Sequence, residues 1–160
     1  MKLISDQKQQ IILFLIFIQA LIAMLGSLYY SNFGDPVENF KLGVFWLYGY
    51  GFDPCLLCYW ARILMYPIVA ISLVGLIKKA KDVYHYILPL SILGIFLDSY
   101  HFLLQKTSIG NPFACTGANP CSALQVNYLG FITIPFQALL AFLIITILCI
   151  ILMKLNNSNK

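Results

Sequence analysis

The sequence predicts an all-α membrane protein, a four-transmembrane-helix bundle with a short interfacial helix in its first outer loop. Three observations carry that expectation. Hydrophobic residues make up 61% of the 160-residue chain and charged residues only 10%, far from the balance of a soluble domain of this size. Four apolar runs are each long enough to cross a hydrocarbon core of roughly 30 Å, which takes about 20 helical residues. The lysines fall almost entirely on one side of those runs. Together the runs use about half of a chain short enough to be a single membrane domain, residues 1–160.

The first run covers residues 11–30. Lys2 and Lys8 ahead of it, and the small Ala23, Gly26 and Ser27 within it, also fit a secretory leader. The run exceeds the roughly 7 to 15 residues of a leader's apolar core, and no soluble domain follows for it to export, so it is expected to remain as a span. The second run covers residues 59–77, the third 84–104 and the fourth 129–153. Positively charged flanks stay on the cytoplasmic side. With both termini inside, Lys2, Lys8, Lys78, Lys79, Lys81, Lys154 and Lys160 are cytoplasmic and only Lys41 and Lys106 lie outside, seven against two. The net charge of +4 is then a signature of topology and of contact with anionic membrane lipid; no basic cluster or reader motif points to nucleic acid. Tyr29, Tyr30, Trp46, Tyr48, Tyr50, Tyr59 and Trp60 gather at the outer boundary, and Tyr84 and Tyr86 at the inner one, as interfacial aromatics do.

Residues 31–54 form the first outer loop, bounded by Gly34-Asp35-Pro36 and Asp53-Pro54. Inside it Val37, Phe40, Val44 and Leu47 recur on one helical face, opposite Glu38, Asn39 and Lys41, the pattern of a helix lying on the membrane surface. Residues 105–128, the second outer loop, are rich in Gly, Pro, Asn and Thr and hold Cys115 and Cys121.

Small and polar residues align within the spans. In the third, Ser91, Gly94, Asp98, His101 and Gln105 form one continuous stripe; Gln19, Ala23 and Gly26 do so in the first, and Thr133, Gln137 and Ala141 in the fourth. Such faces are expected to point into one bundle. Helix packing accounts for Gly26, Gly75 and Gly94, but not for Asp98. A carboxylate near mid-membrane costs about 2.5 to 3.5 kcal/mol on insertion scales, so Asp98 is expected in a polar pocket or neutral.

Topology also sorts the five cysteines. Cys55, Cys58, Cys115 and Cys121 lie outside or at the outer boundary, and Cys149 sits near the inner end of the fourth span, where it reads as a small buried residue. The pair Cys55-Leu56-Leu57-Cys58 follows Pro54 at a helix start, where unpaired N–H groups and a partial positive charge favour thiolate. Arg62 shares a helical face with both sulfurs, and its side chain should lean back toward them; snorkelling to the interface would explain it equally well. A lone CxxC serves redox enzymes, zinc sites and structural loops alike. The second pair, Cys115-Thr-Gly-Ala-Asn-Pro-Cys121, makes a small exposed loop of the kind that holds labile disulfides. Two dithiols in one compartment suggest a relay, and net oxidation then needs an electron acceptor, for which a membrane bundle offers a lipid-soluble quinone. Arg62, Asp98 and His101 map to the outer leaflet at the depth where such a ring could meet Cys58.

The segments Cys-Leu-Leu-Cys-Tyr-Trp-Ala-Arg-Ile-Leu-Met-Tyr-Pro at 55–67, Ile-Leu-Pro-Leu-Ser-Ile at 87–92, Tyr-His-Phe-Leu-Leu-Gln at 100–105 and Gly-Phe-Ile-Thr-Ile-Pro-Phe at 130–136 resemble the disulfide bond formation protein B family (DsbB), and most closely its compact Gram-positive branch, BdbC. The resemblance implies a plasma-membrane or inner-membrane enzyme that reoxidises a DsbA-like, thioredoxin-fold thiol oxidase and passes the electrons to a respiratory quinone, menaquinone or ubiquinone. It implies that Cys55 and Cys58 are the quinone-proximal pair, with Cys58 nearest the quinone, and that Arg62 is the quinone-site arginine. Cys115 and Cys121 match the pair that takes electrons from the partner, with Cys115 the site of the mixed disulfide, and His101 sits where larger members also place a histidine. Two features depart from those members: Cys115 and Cys121 are much closer in sequence, and the first outer loop is longer.

Other readings remain open at this level. The outer cysteines could staple a four-helix scaffold, which would leave Arg62 without purpose. A four-cysteine zinc site fits the CxxC, but its ligands would lie in an oxidising space, and no metal is expected. A reductase of the vitamin K epoxide type shares the four-helix and CxxC logic.

Overall fold

A computed structural model describes residues 2–41, 51–80, 82–107, 121–122 and 124–157. It contains α1 (Lys2–Phe33), α2 (Pro36–Lys41), α3 (Leu56–Lys78), α4 (Tyr84–Lys106) and α5 (Ile134–Asn157). All but α2 are long and apolar enough to cross a membrane. The four long helices run antiparallel in a ring: α1 and α4 each pack on both α3 and α5.

Each long helix turns one stripe inward. Leu13, Ile16 and Ala20 of α1 meet Met65 and Ile68 of α3, Ile87 of α4, and Ala141, Phe142 and Ile145 of α5 in one buried cluster. The opposite faces are apolar and exposed, as at Phe14, Ile22, Ile63, Phe96 and Ile147. That inside-out pattern suits hydrocarbon, because lipid tails give no hydrophobic drive to hide those faces. Close packing is therefore what joins the helices. At Gly94 an added Cβ would sit 2.5–2.6 Å from the Phe142 ring, and at Gly75 one would meet the Val83 side chain at 2.7 Å. Gly26 behaves differently from the helix-packing role expected of it. Nothing lies within 4 Å of a Cβ there, because Gly26 lines a cavity.

The ends of the elements follow local chemistry. Lys79 in the left-handed region closes α3, with Lys79 N–H donating to the Leu76 carbonyl at 3.3 Å and Ala80 N–H to Gly75 at 3.0 Å. This paired capping pattern turns the chain into α4 within a few residues. Asp35 caps α2 by accepting from Val37 N–H at 2.8 Å, with Pro36 at the first helical position. Val37 and Phe40 of α2 are exposed while Asn39 is buried and donates to the Phe33 carbonyl at 2.5 Å. The predicted surface helix also includes Val44 and Leu47, which, with the belt residues Trp46, Tyr48 and Tyr50, lie outside the described residues.

Three expectations change. The fourth span begins at Ile134 rather than at 129, because Tyr128 and Ile132 pair around a turn in which Leu129 and Gly130 have positive φ. Lys106 at the end of α4 donates to the Gly130 carbonyl at 2.6 Å and pins that turn. Tyr84 is not an interfacial aromatic. It is 3% exposed and its hydroxyl accepts from Asn156 of α5 at 3.3 Å, whereas Tyr86 remains exposed as expected. The helices that hold the first three runs extend past 11–30, 59–77 and 84–104, with candidate spans at Asp6–Phe33, Leu56–Lys78 and Tyr84–Lys106.

Candidate functional site

The C-terminal ends of α1 and α4, the N-terminal ends of α3 and α5 and the loop after Cys121 converge on the CxxC pair. Cys55 is the residue immediately before α3, in extended conformation, and Cys58 lies in the first turn. Their sulfurs are 3.2 Å apart and hydrogen-bonded, and both cysteines are free. The third-span stripe brings His101 to the same place, its Nε2 3.5 Å from Cys55 Sγ. The hydrogen bond with Cys58 holds the Cys55 thiol well below its ordinary pKa; burial opposes the shift, and His101 adds to the lowering. The helix start expected from Pro54 is present, so thiolate is favoured by position as well as by neighbours.

Cys121 is disulfide-bonded and 1% exposed. It packs in one buried cluster with Cys55, Leu57 and Leu104, against which Cys58 also rests. Gln125 holds this loop down by donating to the Asp53 carbonyl, just ahead of the CxxC, at 3.1 Å. Cys115 lies outside the described residues. Cys149 is fully buried in the core, as expected.

The two sulfurs of the CxxC look in different directions. Cys55 faces His101 and Cys121. Cys58 also lines a pocket of about 40 Å³ shared with Arg62, Asp98 and His101, so the three residues expected to surround it do meet there. Asp98 is 1% exposed, and its Oδ2 has no hydrogen-bond partner among the described residues. Beyond Arg62 lies a larger cavity of about 250 Å³ between α1, α3 and α5. Ser27, Tyr30, Ala61 and Arg62 line both spaces. The first-span stripe (Gln19, Ala23, Gly26) and two residues of the fourth-span stripe (Gln137, Ala141) line the large cavity. Thr133 lies outside it, fully buried.

Arg62 departs in detail from the sequence reading. Its guanidinium crosses to α1 instead of reaching back to the sulfurs. Nε donates to Ser27 Oγ at 2.8 Å and Nη2 to the Ser27 carbonyl at 2.8 Å, with a further short bond to Ser31 Oγ. It also sits 6.0 Å from the Tyr59 ring centroid, within cation–π range. Ser31 was not singled out in the sequence, and Ser27 only as a small residue of the first run. Their signal was an i, i+4 pair of hydroxyls at the C-terminal end of an apolar span, which reads equally well as local bonding to the helix backbone.

The site can therefore do two things chemically. Cys121, Cys55 and Cys58 form a contiguous set of sulfurs suited to thiol–disulfide exchange. The sulfur and nitrogen donors of Cys55, Cys58 and His101 also lie within 4.8 Å of one another, a donor set for a soft metal ion.

Comparison with known proteins bears on the first. Residues 40–152 match the family model described as disulfide bond formation protein DsbB. The chain is 40% identical to a probable disulfide formation protein of Oceanobacillus iheyensis over 92% of each chain. It is 39% identical to disulfide bond formation protein C of Bacillus subtilis, over 86% of this chain and 88% of that one. No solved structure matches the chain. With a family model covering most of the sequence and relatives aligned along nearly their whole length, the chain belongs to the DsbB family of disulfide bond formation proteins.

Proposed function

We propose that this protein is a membrane thiol:quinone oxidoreductase that reoxidises an extracytoplasmic, DsbA-like thiol oxidase of thioredoxin fold and passes the electrons to menaquinone or ubiquinone. Family membership carries the coarser part, a role in disulfide bond formation. The observation that carries the rest is continuity: a disulfide-bonded Cys121 touches a reduced CxxC, which in turn opens through Cys58 and Arg62 toward a membrane-embedded cavity.

The electron balance follows from sulfur chemistry. A partner thiolate attacks Cys115 of the Cys115–Cys121 disulfide and releases Cys121 as thiolate; the partner's second thiolate then attacks the partner sulfur of the mixed disulfide and releases Cys115. The partner leaves oxidised, and two electrons remain on Cys115 and Cys121. Cys121 attacks Cys55 in a Cys55–Cys58 disulfide and releases Cys58; Cys115 then attacks Cys121 of the resulting Cys121–Cys55 mixed disulfide and releases Cys55. The result is a bonded Cys121 with free Cys55 and Cys58. His101, at 3.5 Å from Cys55 Sγ, is placed to take the Cys55 proton and stabilise its thiolate.

The large cavity suits a quinone ring. Met65 and Phe142 give it buried apolar walls and the exposed Ile22 an apolar edge, and Gln19, Tyr30 and Arg62 supply polar groups to its lining. Its volume falls just below the roughly 300–1,000 Å³ of drug-sized pockets, enough for a head group whose tail stays in lipid. The quinone supplies a two-electron, two-proton oxidant. Arg62 and Tyr30 would orient it, and Asp98 and His101 line the space between it and the sulfurs. A purely stapled scaffold fits less well, since it gives no role to free Cys55 and Cys58 or to the buried Asp98.

The test is oxidation of a reduced thioredoxin-like partner by purified protein in lipid nanodiscs, with quinone reduction followed optically. Quinone is expected to be reduced one-for-one with partner disulfide formed. Partner oxidation without quinone reduction would remove the quinone assignment.

A further inference from the structure

Cys55, Cys58 and His101 have a second chemistry that sulfur exchange does not use. Cys55 Sγ is 3.2 Å from Cys58 Sγ and 3.5 Å from His101 Nε2, and all three donor atoms fall within 4.8 Å of one another. A tetrahedral zinc ion with bonds of about 2.3 Å to sulfur and about 2.0–2.1 Å to imidazole requires ligand separations of about 3.8 Å between sulfurs and about 3.6 Å between sulfur and nitrogen. The Cys55–His101 edge, at 3.5 Å, already has that length, and the Cys58–His101 edge lies within 4.8 Å; the Cys55 and Cys58 sulfurs need to part by roughly half an ångström, within reach of a small χ1 adjustment. A cavity of about 10 Å³ lies against the same three residues, with Gln105 and Gln125 on its wall. That is room for about one water, and three protein ligands plus one water is the open form of a zinc site. Two thiolates and a divalent ion also sum to zero charge, which a buried site tolerates where it would not tolerate either alone.

We infer that the reduced CxxC and His101 form a redox-gated site for a soft divalent d¹⁰ cation such as zinc or cadmium. Thiolate and imidazole select such ions over calcium or magnesium. Binding exchanges the thiol protons for the metal and moves no electrons. Oxidation of Cys55 and Cys58 to a disulfide removes two of the three ligands, so only the electron-loaded form binds. Metal and electron acceptor therefore compete for one dithiol, and a thiophilic ion reaching the outer face holds the protein reduced. The inference rests on the three donors and not on the identity of the acceptor.

The experiment uses the full chain in nanodiscs, reduced with a phosphine, freed of reductant without air, and titrated with zinc against a chromophoric chelator. One zinc per chain is expected for the reduced protein and none after oxidation of the CxxC. Zinc-edge X-ray absorption should show two sulfurs and one imidazole nitrogen. His101→Gln should weaken binding by more than about tenfold, since even outer-shell losses cost that much. A Cys115→Ser, Cys121→Ser double variant and Cys149→Ser should each keep the site; loss of zinc from either would assign the ion to other thiols and overturn the inference. Equal binding by oxidised protein, a shell without sulfur, or unchanged affinity in a folded His101→Gln protein would overturn it as well. None of these readings involves a thiol partner or a quinone, so their failure would leave the proposed function standing.

Discussion

Replacing Arg62 tests both the fold and the proposed quinone site, because the same side chain ties α3 to α1 and lines the large cavity. The guanidinium makes two 2.8 Å bonds to Ser27 and a third to Ser31. Hydrogen bonds to charged groups contribute roughly 1.5–3 kcal/mol each, but Arg62 is only half-buried, and both serine hydroxyls can turn back to their own helix backbone. Two effective bonds at the lower end give about 3 kcal/mol of lost α1–α3 stability for Arg62→Ala. Loss of one charged contact to a quinone carbonyl, at about 1.5–3 kcal/mol, corresponds to roughly a 10- to 150-fold rise in apparent KM. Arg62→Lys keeps the charge but has no planar fork to span Ser27 and Ser31, so it should recover part of the KM and little of the stability. Steady-state quinone reduction in nanodiscs reads the first quantity, and detergent-induced unfolding followed by circular dichroism reads the second. An Arg62→Ala protein that is less stable but has an unchanged quinone KM would refute the reasoning and leave Arg62 as an interhelical tie.

Other residues separate packing from chemistry. Cys58→Ser should abolish quinone-linked turnover while the Cys115–Cys121 pair still exchanges once with a partner, measured by thiol trapping in membranes; continued turnover would give the acceptor-facing role to another sulfur. Gly94→Ala should destabilise the bundle by about 1–3 kcal/mol by overpacking against Phe142. Gly26→Ala, with no atom within 4 Å, should leave stability the same or raise it by about 0.5–1 kcal/mol while crowding the cavity, seen as a changed quinone KM. Because the folded environment lowers the Cys55 pKa, its thiolate persists as pH falls below the range where an ordinary thiol of pKa about 8.5 has protonated. Alkylation of Cys55 in reduced protein, mapped by mass spectrometry, should therefore continue into acidic pH, and His101→Gln should move its onset upward. An onset at the ordinary thiol pKa in both proteins would contradict the lowering.

Much of this molecule is local in origin. A span announces itself through about 20 apolar residues, and the 3.6-residue period fixes which side chains share a face. Ser91, Gly94, Asp98 and His101 could therefore be read as one inward stripe, and they are buried together. The CxxC after Pro54 and the lone Cys149 were legible in the same way, since helix starts and span interiors are properties of short segments. Periodicity on one helix, however, does not name its neighbour. Only the packed ring decided that Cys121 rests on Cys55, that His101 reaches the same sulfur, and that Arg62 turns to Ser27 and Ser31. Gly26 and Gly94 look alike in sequence, yet one faces a cavity and the other a phenyl ring, because that difference belongs to the partner helix. Helix positions are set by chain-local energetics, whereas the meeting of three sulfurs, an imidazole and a guanidinium depends on which faces pack most closely once the helices share a membrane.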